Sequence, residues 1–357
     1  MSTLAFLVGV GAIPLWAPVY VGADVTVSAR PDRRRPRRLR PGSRVAVVAP
    51  SSGLLAASAL DRGVRALERL DLEVVVGPAV REIRGYLAGE DVQRAEDLLW
   101  ALSDRSIDAV WCARGGYGAA RTVAALDDGA LDEIAAGDPK VFMGFSDITV
   151  LHALVSRRLG WVSFYGPGVS KLGRANDYTL DGLRAALFAA APFEVAARPD
   201  DNWVTTLVPG QADGVLAGGV LPRLAALVGT PLQVDFAGKV CFFEDVNESV
   251  MGVDEHLTQM IAAGCFDGCA GIAIGDHIDV TARGETSLGL EQVFADLLTP
   301  LGIPCCFYLP IGHGPYQATL PIGARVHFDA DEGTLRVLEP AVSDDAPGQS
   351  GGRRAAR

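Results

Sequence analysis

The sequence predicts a two-domain α/β chain in which an open parallel-sheet domain is followed by a smaller mixed α/β domain. Three observations carry this. At 357 residues the chain exceeds the roughly 250–300 residues over which a single core keeps growing. From Arg44 onward, short β-rich apolar runs alternate with helical stretches, the pattern of successive βα units. That rhythm breaks over 176–212 and then resumes. The composition, 49% hydrophobic and 21% charged with 41 Gly against 21 Pro, suits a globular protein rich in tight turns and excludes collagen-like and coiled-coil classes.

The first 23 residues carry no charge, and Leu4 to Gly22 is apolar enough to suggest a signal peptide or an anchor. Three features favour a plain leader instead. No basic region precedes the run, Pro14 and Pro18 interrupt it, and the arginines follow it, which is the wrong polarity for secretion. Residues 30–44 hold eight Arg and one Asp, a local +7 within a chain of net charge −11, so the remainder carries −18. A body that acidic is a poor partner for nucleic acid, and the Arg run reads as a solvated stretch. Residues 1–42 are therefore expected to be a disordered leader, with the protein cytoplasmic and off the membrane.

The first domain, 43–175, opens on the buried strand RVAVVA (44–49), which runs into Pro50-Ser51-Ser52-Gly53. A helix over 58–70, the strand LEVVV (72–76) and a helix over 91–104 follow. IDAVWCA (107–113) leads into Arg114-Gly115-Gly116-Tyr117-Gly118, KVFMGF (140–145) into Ser146-Asp147, and WVSFYG (161–166) closes the series. Strands alternating with helices in this way predict a flavodoxin-like sheet. Ligands of such sheets sit beyond the carboxyl ends of the strands, where all three turns emerge.

Prolines, alanines and acids over 176–212 predict a linker. The second domain, 213–340, contains VLAGG (215–219), VCFFEDV (240–246), a helix from about Asp254 to Ala263, and GIAIG (271–275). A helix over 290–298 and strands near 305–309 and 324–328 complete it. Residues 341–357 have no apolar periodicity and are expected to form a disordered tail. The six cysteines (Cys112, Cys241, Cys265, Cys269, Cys305, Cys306) fall mostly in apolar runs without the spacing of a disulfide scaffold, and predict reduced core thiols.

Four turns could carry chemistry. Ser146 follows a buried strand at a helix start, where free N–H groups can hold an anion, but a serine before Asp-Ile-Thr is equally a helix N-cap. Its context is not Gly-x-Ser-x-Gly, so no α/β-hydrolase elbow is expected. Arg114 to Gly118 lets backbone approach a ligand closely, or is a plain tight turn; no Gly-x-Gly-x-x-Gly supports a dinucleotide. Glu244 and Asp245 end an apolar strand, either exposed on leaving the sheet or held to orient another group. His313, between glycines in Pro310-Ile311-Gly312-His313-Gly314-Pro315, is either a proton carrier or an ordinary loop histidine. Cys265-x-x-x-Cys269 with His277 is not a zinc spacing, and His152 and His256 lack a second ligand at i+4, so neither metal nor other cofactor is expected.

Seven segments, in order and spacing, resemble the LD-carboxypeptidase family, which includes muramoyltetrapeptide carboxypeptidases and microcin C self-immunity proteins. They are LRPGSRVAVVAPSSG (39–53), GYLAGEDVQRAEDL (85–98), RGGYGAAR (114–121), GFSDIT (144–149), LPRLAALVGTP (221–231), FFEDVNES (242–249) and PIGHGPYQATLPIGARVHFD (310–329). The resemblance covers about 43 to 340 and implies Ser146 as nucleophile, His313 as general base and Glu244 as the group orienting the imidazole. It also implies an oxyanion hole from the backbone N–H groups of Gly116 and Asp147, a site in the cleft between the domains, and a homodimer. Two positions depart from the family pattern. Val220 stands where Gly-Gly-Asn is usual, and Tyr165 where His-Gly-Pro is usual.

The resemblance implies a serine-type L,D-carboxypeptidase that removes the terminal D-alanine from cytoplasmic muropeptide tetrapeptides in murein recycling. The two departures motivate an alternative, an immunity-type amidase cleaving peptidyl-nucleotides or another small amide. If Ser146 only caps its helix, the chain is instead a non-catalytic ligand-binding α/β protein.

Overall fold

The structure, a computed structural model, describes residues 33–344 except 55, 196, 200–203, 283 and 285. The first domain runs β1 (Arg44–Val48), α1 (Ala57–Glu68), β2 (Glu73–Val76), α2 (Asp91–Ser103) and β3 (Ala109–Cys112). It continues with α3 (Ala119–Ala124), α4 (Asp128–Ala136), β4 (Val141–Gly144), α5 (Thr149–Leu154), β5 (Ser163–Tyr165) and α6 (Val169–Leu172). The strands lie in the order β2-β1-β3-β4-β5, all parallel, which is the flavodoxin-like order. β3, β4 and β5 are buried along their whole length because helices cover both faces. Alternate residues feed two cores: Val45, Val47, Trp111 and Met143 enter one, and Ala46, Val48, Val110 and Phe142 the other.

α7 (Asp177–Phe188), β6 (Phe193–Val195), β7 (Thr205–Val208) and β8 (Gln211–Val220) come next, followed by α8 (Leu221–Ala226), β9 (Lys239–Val246) and α9 (Val250–Ala262). β10 (Gly271–Ile278), α10 (Leu290–Leu298), β11 (Cys305–Phe307), β12 (Leu320–Ile322), β13 (Arg325–Asp329) and β14 (Thr334–Val337) close the chain. The second sheet has the order β6-β14-β13-β8-β9-β10-β11-β7, with β8 to β11 parallel and the flanking pairs antiparallel. α8, α9 and α10 pack on one of its faces through Leu221, Leu224, Val253, Leu257, Phe294 and Leu298. Its other face, through Leu216, Val240, Phe242 and Ala273, shares a core with Phe145 and Tyr165 of the first domain. All six cysteines are buried free thiols, and burial pushes Cys306 up to about 12.

Four expectations are corrected. Within the expected leader, residues 33–42 pack on the first domain: Leu39 is buried in its core and donates its N–H to the Leu187 carbonyl at 2.8 Å. Two of the arginines there bind helix carbonyls, while Arg35 pairs with Glu339 and Arg38 with Asp344. Arg34 donates to the carbonyls of Gly137 and Ala135 at the end of α4 and to that of Leu159, while Arg33 donates to that of Ser156. Cations suit those carbonyl-rich termini, so this part of the run is not a solvated stretch. The expected linker holds α7, capped by the Asn176 side chain accepting from the Thr179 N–H, and two edge strands of the second sheet. β12, expected with the second domain, crosses over to pair antiparallel with β5. In the expected tail, Ala341 and Val342 are buried and Ser343 bonds to Pro36 and Arg38. Residues 1–32 and 345–357 lie outside the described residues. No helix among the described residues is long and apolar enough to cross a membrane.

Candidate active site

Ser146 sits where β4 ends. Its φ of +64° places it in the left-handed region that side-chain-bearing residues avoid, and its Oγ caps no helix; the N-cap position belongs to Phe145. The turn is therefore a strained elbow even without the Gly-x-Ser-x-Gly pattern, which overturns both the expectation that no such elbow forms and the capping alternative. Room for it comes from two glycines, Gly144 at the end of β4 and Gly115 in the loop after β3. A Cβ at Gly115 would lie 2.8 Å from the Ser146 Cβ, and one at Gly144 would lie 2.8 Å from the Ile148 side chain.

The neighbouring residues lock this turn. The Asp147 carboxylate, only 2% exposed, accepts from Ser51 Oγ at 2.6 Å and from the Ala119 N–H at 2.9 Å. It thus pins the first and third strand-end loops together and satisfies a free donor at the start of α3. Thr149 Oγ1 donates to the Ser146 carbonyl at 2.7 Å and accepts the Val220 N–H at 2.9 Å, joining the elbow to the second domain. Gly219 is needed there, since a Cβ would overlap the Thr149 side chain. Below the elbow, His152 bridges Ser163 Oγ at 2.8 Å and the Gly144 carbonyl at 2.9 Å. Burial lowers its pKa to about 4, so it is neutral, with Nε2–H donating to the carbonyl and Nδ1 accepting from the serine. Gly116 lies against Ser52, whose Oγ accepts the Tyr117 N–H at 3.0 Å, and the Gly116 amide donates to no acceptor among the described residues.

Glu244 and His313 come from the second domain. Glu244, fully buried on β9, accepts from His313 Nδ1 through Oε2 at 2.7 Å. With Nδ1 carrying a proton toward that acceptor, Nε2 keeps its lone pair. Gly312, at φ +104°, permits this contact, because any Cβ there would fall on the Glu244 carboxyl group. Oε1 of Glu244 accepts from the Tyr165 hydroxyl at 2.5 Å, and that hydroxyl accepts the Ser146 N–H at 3.0 Å. The direction is fixed, since a backbone amide can only donate and the phenol must therefore send its own proton to Glu244. Burial and the adjacent carboxylate push the Tyr165 pKa well up, which keeps it a donor.

The structure thus joins Ser146, Tyr165, Glu244 and His313 in one hydrogen-bonded line across the domain interface. The His313 ring also packs on Phe145, the residue before Ser146, with centroids 4.8 Å apart. Tyr165 is the member that sequence reasoning missed. It stood out only as a departure, and its partner Glu244 lies 79 residues away. Asp245, the neighbour of Glu244, points elsewhere: it is 1% exposed, its Oδ2 has no hydrogen-bond partner among the described residues, and burial raises it to about 7. An arrangement with a half-buried hydroxyl at a strained turn, backbone amides beside it and a carboxylate-bound imidazole nearby can support acyl transfer.

Comparison with known proteins agrees. The LD-carboxypeptidase N-terminal domain family matches residues 45–166, and the LD-carboxypeptidase C-terminal domain family matches 213–328. A Streptomyces coelicolor protein to which carboxypeptidase activity is ascribed is 42% identical over 317 residues, covering 86% of this chain and 97% of its own. The murein tetrapeptide carboxypeptidase of Pseudomonas aeruginosa is 31% identical over 285 residues, covering 78% and 91%. Among solved structures, muramoyltetrapeptide carboxypeptidase from Oxalobacter formigenes superposes with a TM-score of 0.70 at 27% identity, covering 82% of this chain and 97% of that one. Microcin C7 self immunity protein superposes with a TM-score of 0.78 at 21% identity over 87% and 99%, a likeness of fold. Matched in both halves, and aligned with relatives along most of their length, the chain belongs to the LD-carboxypeptidase family.

Proposed function

We propose that the protein is a serine-type L,D-carboxypeptidase that removes the terminal D-alanine from muropeptide tetrapeptides in the cytoplasm, a step of murein recycling. The observation that carries this is the line from the Ser146 amide through Tyr165 and Glu244 to His313. The murein tetrapeptide and muramoyltetrapeptide carboxypeptidases among its relatives support the substrate class.

In this reading Ser146 Oγ attacks the carbonyl carbon of the L,D amide as its proton passes to His313 Nε2. The carbonyl electron pair moves onto oxygen, facing the Gly116 and Asp147 N–H groups. Glu244 holds the imidazole by Nδ1 and stabilises it once charged. Collapse breaks the C–N bond, and the D-alanine nitrogen leaves with the proton from His313. Water then attacks the acyl-Ser146 ester by the same route in reverse order.

Purified protein incubated with the tetrapeptide is expected to release D-alanine and tripeptide, read by mass spectrometry. Ser146→Ala should lower turnover by several orders of magnitude while the circular dichroism spectrum stays unchanged. Undiminished release by that variant would remove the mechanism. The departure at Val220 and the likeness to the microcin C7 self immunity protein motivate one alternative substrate, a peptidyl-nucleotide amide. The same assay with an acyl-sulfamoyl adenylate tests it, and a tenfold preference for that compound would reassign the substrate.

A further inference from the structure

A cleft of about 510 Å³ opens beside His313, and none of the steps above uses it. It is walled by α1, by the turn from Pro167 to Arg174, and by Gly314 and Pro315, which follow the histidine. Its lining has one sign of charge. Among the described residues Arg62, Lys171 and Arg174 face it and no acid does, in a chain whose net charge is −11. The acids nearest Lys171 are already engaged: Asp276 pairs with Arg198 at 2.6 Å, and Glu244 accepts from Tyr165 and His313. Lys171 Nζ spends one donor on the His313 carbonyl at 3.2 Å and sits 4.8 Å from the Phe145 ring centroid, so among the described residues two of its donors remain. Arg62 Nε and Gln317 Nε2, both on the wall, are buried without an acceptor among the described residues.

We propose that this cleft is the leaving-group subsite and that Arg62, Lys171 and Arg174 receive the α-carboxylate of the amino acid released, an inference that rests on the carboxypeptidase reading. The departing nitrogen must take its proton from His313, and the α-carboxylate is one carbon removed from that nitrogen. It therefore lies on the histidine side of the scissile bond, away from the Gly116 and Asp147 amides. Cations placed there with no carboxylate of their own select a chain terminus over an internal peptide bond, which has no charge at that position. Selectivity for the terminal residue then comes from the charge of the cleft and not from a blocked channel.

The test uses N-acetyl-D-alanine and N-acetyl-D-alaninamide, titrated against the full chain carrying Ser146→Ala and followed by the ligands' NMR signals. The acid should bind at least tenfold more tightly than the amide. Adding Arg62→Gln or Lys171→Met should weaken the acid about tenfold and leave the amide unmoved. Equal affinities, or an equal loss for both ligands, would overturn the subsite. So would inorganic phosphate binding more tightly than the acid, which would assign the cleft to a phosphoryl group. Release of D-alanine from the tetrapeptide by the unmodified enzyme is read separately. Its absence, with acid-selective binding intact, would defeat the carboxypeptidase reading and leave an anion site standing.

Discussion

The two sheets hold their functional groups by opposite means. At the edge of the first, Ser146 is presented by backbone strain, a left-handed residue that costs roughly 1–3 kcal/mol and persists because Gly115 and Gly144 clear space around it. At the edge of the second, Glu244 lies in a parallel strand opposite a register shift in β10, and buried hydrogen bonds do the positioning. Strain fixes one residue at a time, so changing the Ser146 side chain leaves its neighbours where they are. A buried network is fixed jointly, so a change in one member reaches the others.

The sharpest way to break this contrast is Glu244→Gln. An amide can offer a donor to His313 Nδ1, which favours the wrong tautomer, and it removes the charge that stabilises the imidazolium. Turnover of the tetrapeptide should fall on the scale of the roughly 10⁴ seen when a triad carboxylate becomes an amide. Steady-state kinetics would check it. A variant retaining more than about a tenth of the activity, a loss of less than about 1.4 kcal/mol in transition-state stabilisation, would mean that Glu244 only supports the interface.

Tyr165→Phe probes the bond between the two regions. The substitution keeps the packing against Phe145 and Phe242 while removing the donor to Glu244 and the acceptor for the Ser146 N–H. A hydrogen bond to a charged group is worth about 1.5–3 kcal/mol, so kcat should drop by about ten- to a hundredfold with KM nearly constant. A change within twofold would show that strain alone aligns Ser146 and that the phenol is a packing residue.

The same contrast explains what could be read from the sequence. Strand-to-helix alternation exposed β1 to β5 and β8 to β10, because each contains a short apolar run, fully buried in β3 and β4 and only half-buried in β2. β12 was not read as a strand because a three-residue strand has no period, and its partner β5 is remote in sequence. Arg33 and Arg34 looked solvated because their partners are helix carbonyls, which any residue supplies and no composition reveals, and Arg35 and Arg38 because theirs, Glu339 and Asp344, are remote in sequence. Ser146, His313 and Glu244 stood out through their local motifs, whereas the elbow's strain did not, since one of the glycines that permit it comes from the loop after β3. Local signals reveal residue types at turns. Contacts between chain segments far apart in sequence decide their geometry.

The smallest effect on activity is expected at Asp245, where the second region contains its own contrast. Adjacent on β9, Glu244 has both oxygens satisfied, while Asp245 has only the Val246 N–H on Oδ1, at 2.7 Å, and nothing on Oδ2 among the described residues. Burial raises its carboxyl to about 7, with Glu244 and Glu248 pushing the same way and the Val246 amide opposing. In the unfolded chain an Asp titrates near 3.9. Between these values the folded state holds a proton that the unfolded state has released, so stability falls as pH rises from about 4 to about 7 and is flat above. Asp245→Asn removes this ionisation while keeping the shape. Other groups titrate alike in both proteins and cancel in the difference. The melting temperature of the Asn variant should therefore gain on the wild type by several degrees between pH 5 and pH 8, with turnover changed by less than about threefold. Calorimetric scans across that range check it, and parallel stability curves would mean that Asp245 ionises in the folded protein as it does in water.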